Sequence, residues 1–378
     1  MVGARIVLAL VCALMCCTLV ARPREAIAQI PLQKIPKPKP AEPHVKGVPK
    51  PKQVYAKLRP LTAELTALVP FDMSPFPFDG EKPNEGIFLN IFAAGRRGHA
   101  GRGGTYWEDT TYSDRHVLLS MAKGFDIRKP AVMVVFFHGN GARLDRDVMA
   151  RQRVPQQVAA SGLNAVLVAP QFAVDALDSS AGAFWQPGTF RQFLDEATVH
   201  LVELYGDERT RKAFATMPVI MVAYSGGYNP AAYSLSIGGA DPRIKGVVLL
   251  DALYGEIPRY SDWILRRRDG FFVSSFTASS AGGNSELRHI LAQHNISIAD
   301  TLGQRLSKGS VTLLQALPDA VHGDFVTHAF VDDPIKEVLL RLPEFAHRPG
   351  AVKSNYKPPP PPSDVVTVPP DPTAVPAQ

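Results

Sequence analysis

Ala223-Tyr224-Ser225-Gly226-Gly227 sets a hydroxyl among small residues directly after the apolar run Val219 to Ala223. A side chain perched on so sharp a strand-to-helix turn sits on strained backbone, and only small neighbours leave room for it. Its Oγ then projects at the carboxyl edge of a sheet, beside a helix N-terminus that favours developing negative charge. Such a hydroxyl becomes a nucleophile once a base can take its proton. Two residue types are therefore sought downstream, an orienting acid and a histidine. The run Gly246 to Leu250 ends in Asp251, a carboxylate that is costly at the end of a buried strand unless a partner waits there. The run Val311 to Ala316 is followed by a loop carrying His322. His322 would take the Ser225 proton and return it to a leaving group, with Asp251 holding the tautomer.

Each role has competitors. Ala278-Ser279-Ser280-Ala281-Gly282 repeats the spacing around Ser280 after another strand, although Gly282-Gly283 does not look like a helix opening. Glu256 and Glu286 are reserve acids, and Asp251 could simply cap a local turn. His328 competes with His322, but Thr327-His328-Ala329 reads as the next element rather than a loop apex. A further constellation precedes the serine. His138-Gly139-Asn140-Gly141 is a glycine-rich turn after the run Ala131 to Phe137, able to bring backbone N–H groups close to a tetrahedral intermediate. The expected oxyanion donors are the N–H groups of Gly226 and of Asn140 or Gly141. His138 is expected beneath the site as a structural residue rather than a base. Tyr224, Tyr228, Tyr254, Gln171 and Trp185 are candidates, with His138, for the walls of an acyl or alcohol pocket.

The elements that must position these groups alternate in kind. Apolar runs at 131–137, 165–169, 219–223, 244–250, 271–276 and 311–316 read as buried strands, with Gly86 to Phe92 and His116 to Met121 as opening strands. Helical spacing follows at 190–205, 230–237, 286–294 and 334–342. The alternation predicts an α/β fold, a mainly parallel sheet covered on both faces.

The turn at 138–141, the Ser225 elbow, Asp251 and His322 occur in the chain order of the α/β-hydrolase superfamily, which residues 86–342 resemble. The resemblance implies an eight-stranded, mostly parallel sheet and hydrolysis through an acyl-enzyme, without a cofactor. Ala223 stands where the elbow more often has glycine, and the acid follows the sixth strand rather than the seventh, as in lipase-like variants.

Composition bounds the rest. The chain has 378 residues, a net charge of +6 and a pI near 9.2, but residues 1–28 carry +2 and 29–60 carry +7. Residues 61–378 are thus mildly acidic, at −3. Arg5, the apolar stretch Ile6 to Val20 and Ala26-Ile27-Ala28 form a secretory signal with a mature start at Gln29; a retained anchor is the alternative. Cys12, Cys16 and Cys17 all lie in this leader, so the mature chain would hold no thiol for disulfides, metal sites or catalysis. Four regions follow: 1–28 as signal peptide, 29–60 as a Lys/Pro-rich disordered spacer, 61–348 as the hydrolase domain and 349–378 as a Pro-rich disordered tail. The spacer is either a solubilising arm or a dock for an anionic envelope polymer. Arg96, Arg97, Arg102 and His99 among glycines read as a loop between opening strands, not an RNA-binding segment, and Arg266-Arg267-Arg268 as a solvated face. His200, His289 and His294 lack metal-ligand spacing. The expected protein is a periplasmic or secreted serine hydrolase of small or lipid-like esters, with no cofactor, metal, nucleic acid or integral membrane span. The alternatives are an acyltransferase or amidase using the same triad, and a non-catalytic envelope-binding protein on a hydrolase fold.

Overall fold

A computed structural model describes residues 57–350 and 352–358. Nine strands form one sheet: β1 (Leu65–Pro70), β2 (His116–Met121), β3 (Val132–Phe137), β4 (Ala165–Pro170), β5 (Val219–Tyr224), β6 (Ile244–Leu250), β7 (Phe271–Phe276), β8 (Ile298–Ala299) and β9 (Val311–Gln315). Their spatial order is β1-β2-β4-β3-β5-β6-β7-β9-β8. Only the contacts of β2, with β1 and β4, are antiparallel; every other pairing in this sheet is parallel.

Strands β3, β4 and β5 are buried along their whole length because both of their faces are covered, and alternate residues enter different cores. Met133, Val135 and Phe137 pack with Met221, Ala223, Val247 and Leu249 against helices α2 (Thr189–Tyr205), α3 (Tyr228–Ser236), α4 (Ile257–Arg266) and α5 (Ala281–Gln293). Val134, Phe136, Ile220, Val222, Val248 and Leu250 face the other way, onto α1 (Val154–Ala160), α6 (Pro334–Leu339) and a π-helical stretch, Leu144–Arg151.

Register carries the functional consequence. Ala223 lies opposite Phe137 on one side and Leu249 on the other. The residues leaving these strands, His138, Ser225 and Asp251, therefore emerge at one sheet edge. Phe276 lies opposite Gln315, so β7 and β9 end at that edge as well.

Three expectations need correction. The sheet has nine strands, not eight, because β8 adds two residues beyond β9. The segment 86–92 is not an opening strand of this sheet. Phe88 and Leu89 are buried, whereas Ile87 is 62% and Phe92 71% exposed. The chain there folds as a short pair, Glu81–Lys82 with Gly86–Ile87, and as a separate antiparallel unit of Ile91–Ala93, Arg96–Gly101 and Gly104–Trp107. The true first strand is β1, whose alternating half-buried residues give little apolar signal. At the other end, residues 352–358 are not a free tail. Asn355 N–H and Ser354 Oγ donate to the buried Glu337 carboxylate at 2.7 Å each, and the Tyr356 hydroxyl accepts from Leu302 N–H at 3.0 Å. The expected signal peptide and most of the spacer, residues 1–56, lie outside the described residues, as does the proline run from 359 onward.

Candidate active site

Ser225 sits at the turn from β5 into α3 with φ +50°, in the left-handed region that a non-glycine residue occupies only under constraint. Its neighbours explain why the turn demands small residues. A Cβ on Gly227 would lie 2.3 Å from the Phe137 carbonyl oxygen, and one on Gly226 would lie 1.9 Å from the Asn140 amide. The turn is thus pressed against the end of β3 on one side and the 138–141 turn on the other.

Ser225 Oγ lies 2.8 Å from His322 Nε2, and His322 Nδ1 lies 2.6 Å from Asp251 Oδ2. With Nδ1–H donating to the carboxylate, Nε2 is left as the acceptor of the serine proton. The His322 loop is tied at several points rather than free to swing. The Tyr224 hydroxyl donates to the His322 carbonyl at 2.7 Å, and Arg151 donates to the Gly323 carbonyl at 2.8 Å. The Tyr224 ring also stacks on the imidazole, with centroids 5.3 Å apart.

Asp251 is wholly buried, with φ +44°, at the first position after β6. Burial alone would push its carboxyl upward, but His322, Ser280 and Thr277 hold it well below the usual carboxylate range. Oδ1 accepts from Thr277 N–H at 3.0 Å and from Ser280 Oγ; Oδ2 accepts from Thr277 Oγ1 and Ser279 Oγ, each at 2.9 Å. Tyr254 OH lies 3.4 Å from both Oδ2 and His322 Nδ1. Every hydroxyl in this cage except that of Tyr254 comes from the segment after β7. That segment settles the position of Ser280: it is 2% exposed and bound to the carboxylate, which places it behind the acid rather than in the cleft. Contrary to the sequence reading, Gly282-Gly283 does open a helix, α5. The other competitors lie in pairs of their own or apart. His328 contacts Asp332 at 2.7 Å and Asp319 at 3.2 Å, Glu256 pairs with Arg259, and Glu286 is exposed on α5.

The 138–141 turn corrects part of the expected oxyanion site. Gly141 N–H already donates to the Ala176 carbonyl at 2.8 Å, so it is not available to a substrate. Asn140 N–H and Gly226 N–H remain. Oriented to satisfy both of its amide atoms, the Asn140 side chain donates to the Asp178 carbonyl at 2.8 Å and to Ser179 Oγ at 3.1 Å, and accepts from Arg102 at 3.2 Å.

A cleft of about 780 Å³ opens over Ser225, Gly226 and His322. Of the expected wall residues, Trp185, Tyr228 and Tyr254 line it. The others do not. His138 and Gln171 are buried beneath the turn, each 2% exposed, where His138 Nε2 accepts from Phe172 N–H at 2.8 Å and from Gln171 Nε2 at 3.0 Å. Burial pushes the His138 imidazole down to about 4. Tyr224 braces the His322 loop instead of facing the cleft. Sequence reasoning missed the opposite wall, built by Lys82 of the short pair, by His99 and Arg102 of the antiparallel unit and by 177–180. Three arginines and a histidine among glycines were the available signal, but nothing local says that this segment reaches the serine. Among the described residues, no cluster of His, Cys, Asp or Glu could hold a metal ion.

Strand order, the antiparallel β2, the strained serine turn and the convergence of Ser225, His322 and Asp251 define an α/β-hydrolase fold. No protein-family profile matches the chain, and no curated protein matches it in sequence. Among solved structures, a feruloyl esterase module from Clostridium thermocellum, complexed with sinapinate, is similar at 14% identity and TM-score 0.40, over 74% of this chain and all of that one. An S-formylglutathione hydrolase from Agrobacterium tumefaciens is similar at 14% identity and TM-score 0.38, over 66% of this chain and 97% of that one. A thermostable esterase from Pseudomonas putida has 12% identity and TM-score 0.34, over 61% and 75% respectively.

Proposed function

We propose that the protein is a serine hydrolase that cleaves ester bonds in two acyl-transfer steps. The carrying observation is the continuous relay of Ser225 Oγ, the His322 ring and the Asp251 carboxylate at 2.8 Å and 2.6 Å. Ser225 Oγ attacks the ester carbonyl while its proton passes to His322 Nε2. The carbonyl oxygen becomes an anion facing the N–H groups of Gly226 and Asn140, each such donor contributing roughly 2.7–4 kcal/mol in comparable sites. Collapse of the adduct breaks the ester C–O bond, and the departing alkoxide takes the proton held on His322. Water then repeats the sequence on the acyl-enzyme, releasing the acid and restoring the serine. Asp251 keeps its charge throughout and fixes the ring by accepting from Nδ1–H.

Polar groups on several sides of the cleft favour short, polar esters over long acyl chains. The sequence reading of residues 1–28 as a cleaved secretory signal makes this an exported enzyme; a mature N-terminus at Gln29, read by mass spectrometry, tests that part. The chemistry is tested by stopped-flow hydrolysis of p-nitrophenyl acetate. A burst of nitrophenolate equal to the enzyme concentration is expected, absent in Ser225→Ala. A wild-type enzyme with no activity above background would remove the proposal.

A further inference from the structure

The antiparallel unit 91–107 carries three arginines, and they are not treated alike. Arg96 is held by Asp109, and Arg97 by Glu108 at 2.6 Å and Asp79 at 2.7 Å. Arg102, at the tight turn between Gly101 and Gly104, has no carboxylate within ion-pair distance among the described residues. Its guanidinium donates to the Asn140 amide oxygen at 3.2 Å, beside the serine turn.

The position is anchored. Leu177 N–H donates to the Tyr106 hydroxyl at 3.0 Å, tying the base of this turn to the 177–180 wall of the cleft. Arg102 lines the same cleft as Ser225 and His322, and its charge reaches the hydroxyls of Tyr228 and Tyr254. The single carboxylate in the lining, Asp178, is engaged by Tyr112 OH at 2.7 Å and by Ser180 N–H and Oγ at 3.1 Å and 2.8 Å. Lys82 adds a second cation at the rim, shared with Glu85 at 2.7 Å. A guanidinium offers five donors in a planar fork; the Arg102 side chain is exposed at the cleft, and among the described residues its donors meet a protein acceptor only at Asn140. With its two neighbours neutralised by carboxylates, this cation at the cleft is placed to receive an anion that enters with the substrate.

We propose that the substrate is an ester bearing a carboxylate on its acyl or alcohol part, and that Arg102 receives that carboxylate. This rests on the esterase reading of Ser225 and adds its substrate class. Arg102 is then a specificity residue acting by charge and hydrogen bonding, with no part in proton transfer.

The test compares anionic esters with neutral isosteres by kcat/KM, in two arms. The acyl arm sets mono-p-nitrophenyl glutarate against p-nitrophenyl 4-carbamoylbutanoate. The alcohol arm sets 4-acetoxybenzoate against 4-acetoxybenzamide. In the arm matching the natural substrate, the anion-to-amide ratio should fall about tenfold in Arg102→Gln, the size expected for a hydrogen bond to a charged group. It should fall further in Arg102→Glu, be partly kept in Arg102→Lys, and shrink with added salt in the wild type. Because each ratio is internal to one variant, a general loss of activity does not affect it. A ratio unmoved by Arg102→Gln and Arg102→Glu in both arms overturns the inference. Fluorophosphonate labelling of Ser225 separates the two failures. Labelling without charge selectivity defeats this inference alone, whereas absent labelling defeats the esterase reading and this inference with it.

Discussion

A buried carboxylate at the end of a strand is sustained by what surrounds it. Asp251 accepts from the imidazole, four hydroxyl groups and a backbone N–H, which is why it stays charged with no exposure to water. Replacing it with Asn would present an N–H₂ where the ring needs an acceptor, and would favour the wrong tautomer. We expect Asp251→Asn to lower kcat by about 10³ to 10⁴ with little change in KM, measured on a p-nitrophenyl ester. Ser280→Ala tests the cage rather than the chemistry. It should keep fluorophosphonate labelling, since Ser280 lies behind the acid, yet lose about 1–3 kcal/mol of stability in urea denaturation at pH 7. Ser225, Asp251 and His322 were legible in the sequence as candidates because each directly follows or closely trails an apolar run of strand length. The cage was not. Thr277, Ser279 and Ser280 look like an ordinary turn until β6 and β7 are known to be neighbours.

At the scale of elements, the turn after β3 depends on a histidine that must stay neutral. His138 Nδ1–H donates to the Gly139 carbonyl at 2.8 Å while Nε2 accepts two N–H bonds, so a second proton would break the arrangement. Its folded value near 4 lies below the ordinary 6.5. The unfolded chain therefore binds a proton that the folded chain refuses across this window. Stability is complete above about pH 6.5 and declines as pH falls toward 4, by roughly 3 kcal/mol in total from this residue. Urea midpoints at pH 4.5 and pH 7 should differ accordingly. In His138→Asn, which is expected to be less stable at both pH values, this part of the difference should vanish. The glycines of the turn made its place in the chain legible. That Gly141 spends its N–H on Ala176 was not legible, since the partner is 35 positions away and lies in no regular element.

For the whole molecule, the last described residues are part of the domain rather than an appendage. Glu337 is fully buried and accepts from Arg341 at 2.8 Å as well as from Ser354 and Asn355, and the Arg341 guanidinium lies 5.5 Å from the Tyr356 ring centroid. Removing one partner of such a pair leaves an uncompensated charge. Glu337→Ala should cost about 3–5 kcal/mol in equilibrium unfolding while leaving KM for a small ester unchanged, because α6 lies across the sheet from α3 and the cleft. Proline-rich composition hid this strap, since Tyr356 and Ser354 are isolated among residues that predict no packing. The antiparallel unit over the cleft and the short pair before it were hidden for a related reason: their strands expose Phe92 and Ile87, and no apolar period marks them. Buried parallel strands announce themselves by composition, whereas segments added at the rim do not.

The central claim is that Ser225 is the reactive nucleophile of this fold. Its most direct measurement is the site and stoichiometry of covalent modification by a fluorophosphonate, read by intact mass and peptide mapping on the purified protein. One adduct per chain on Ser225 is expected, absent in Ser225→Ala and much slower to form in His322→Ala. No adduct on wild-type protein under conditions that label a known serine hydrolase, or an adduct that persists on another serine in Ser225→Ala, would contradict it.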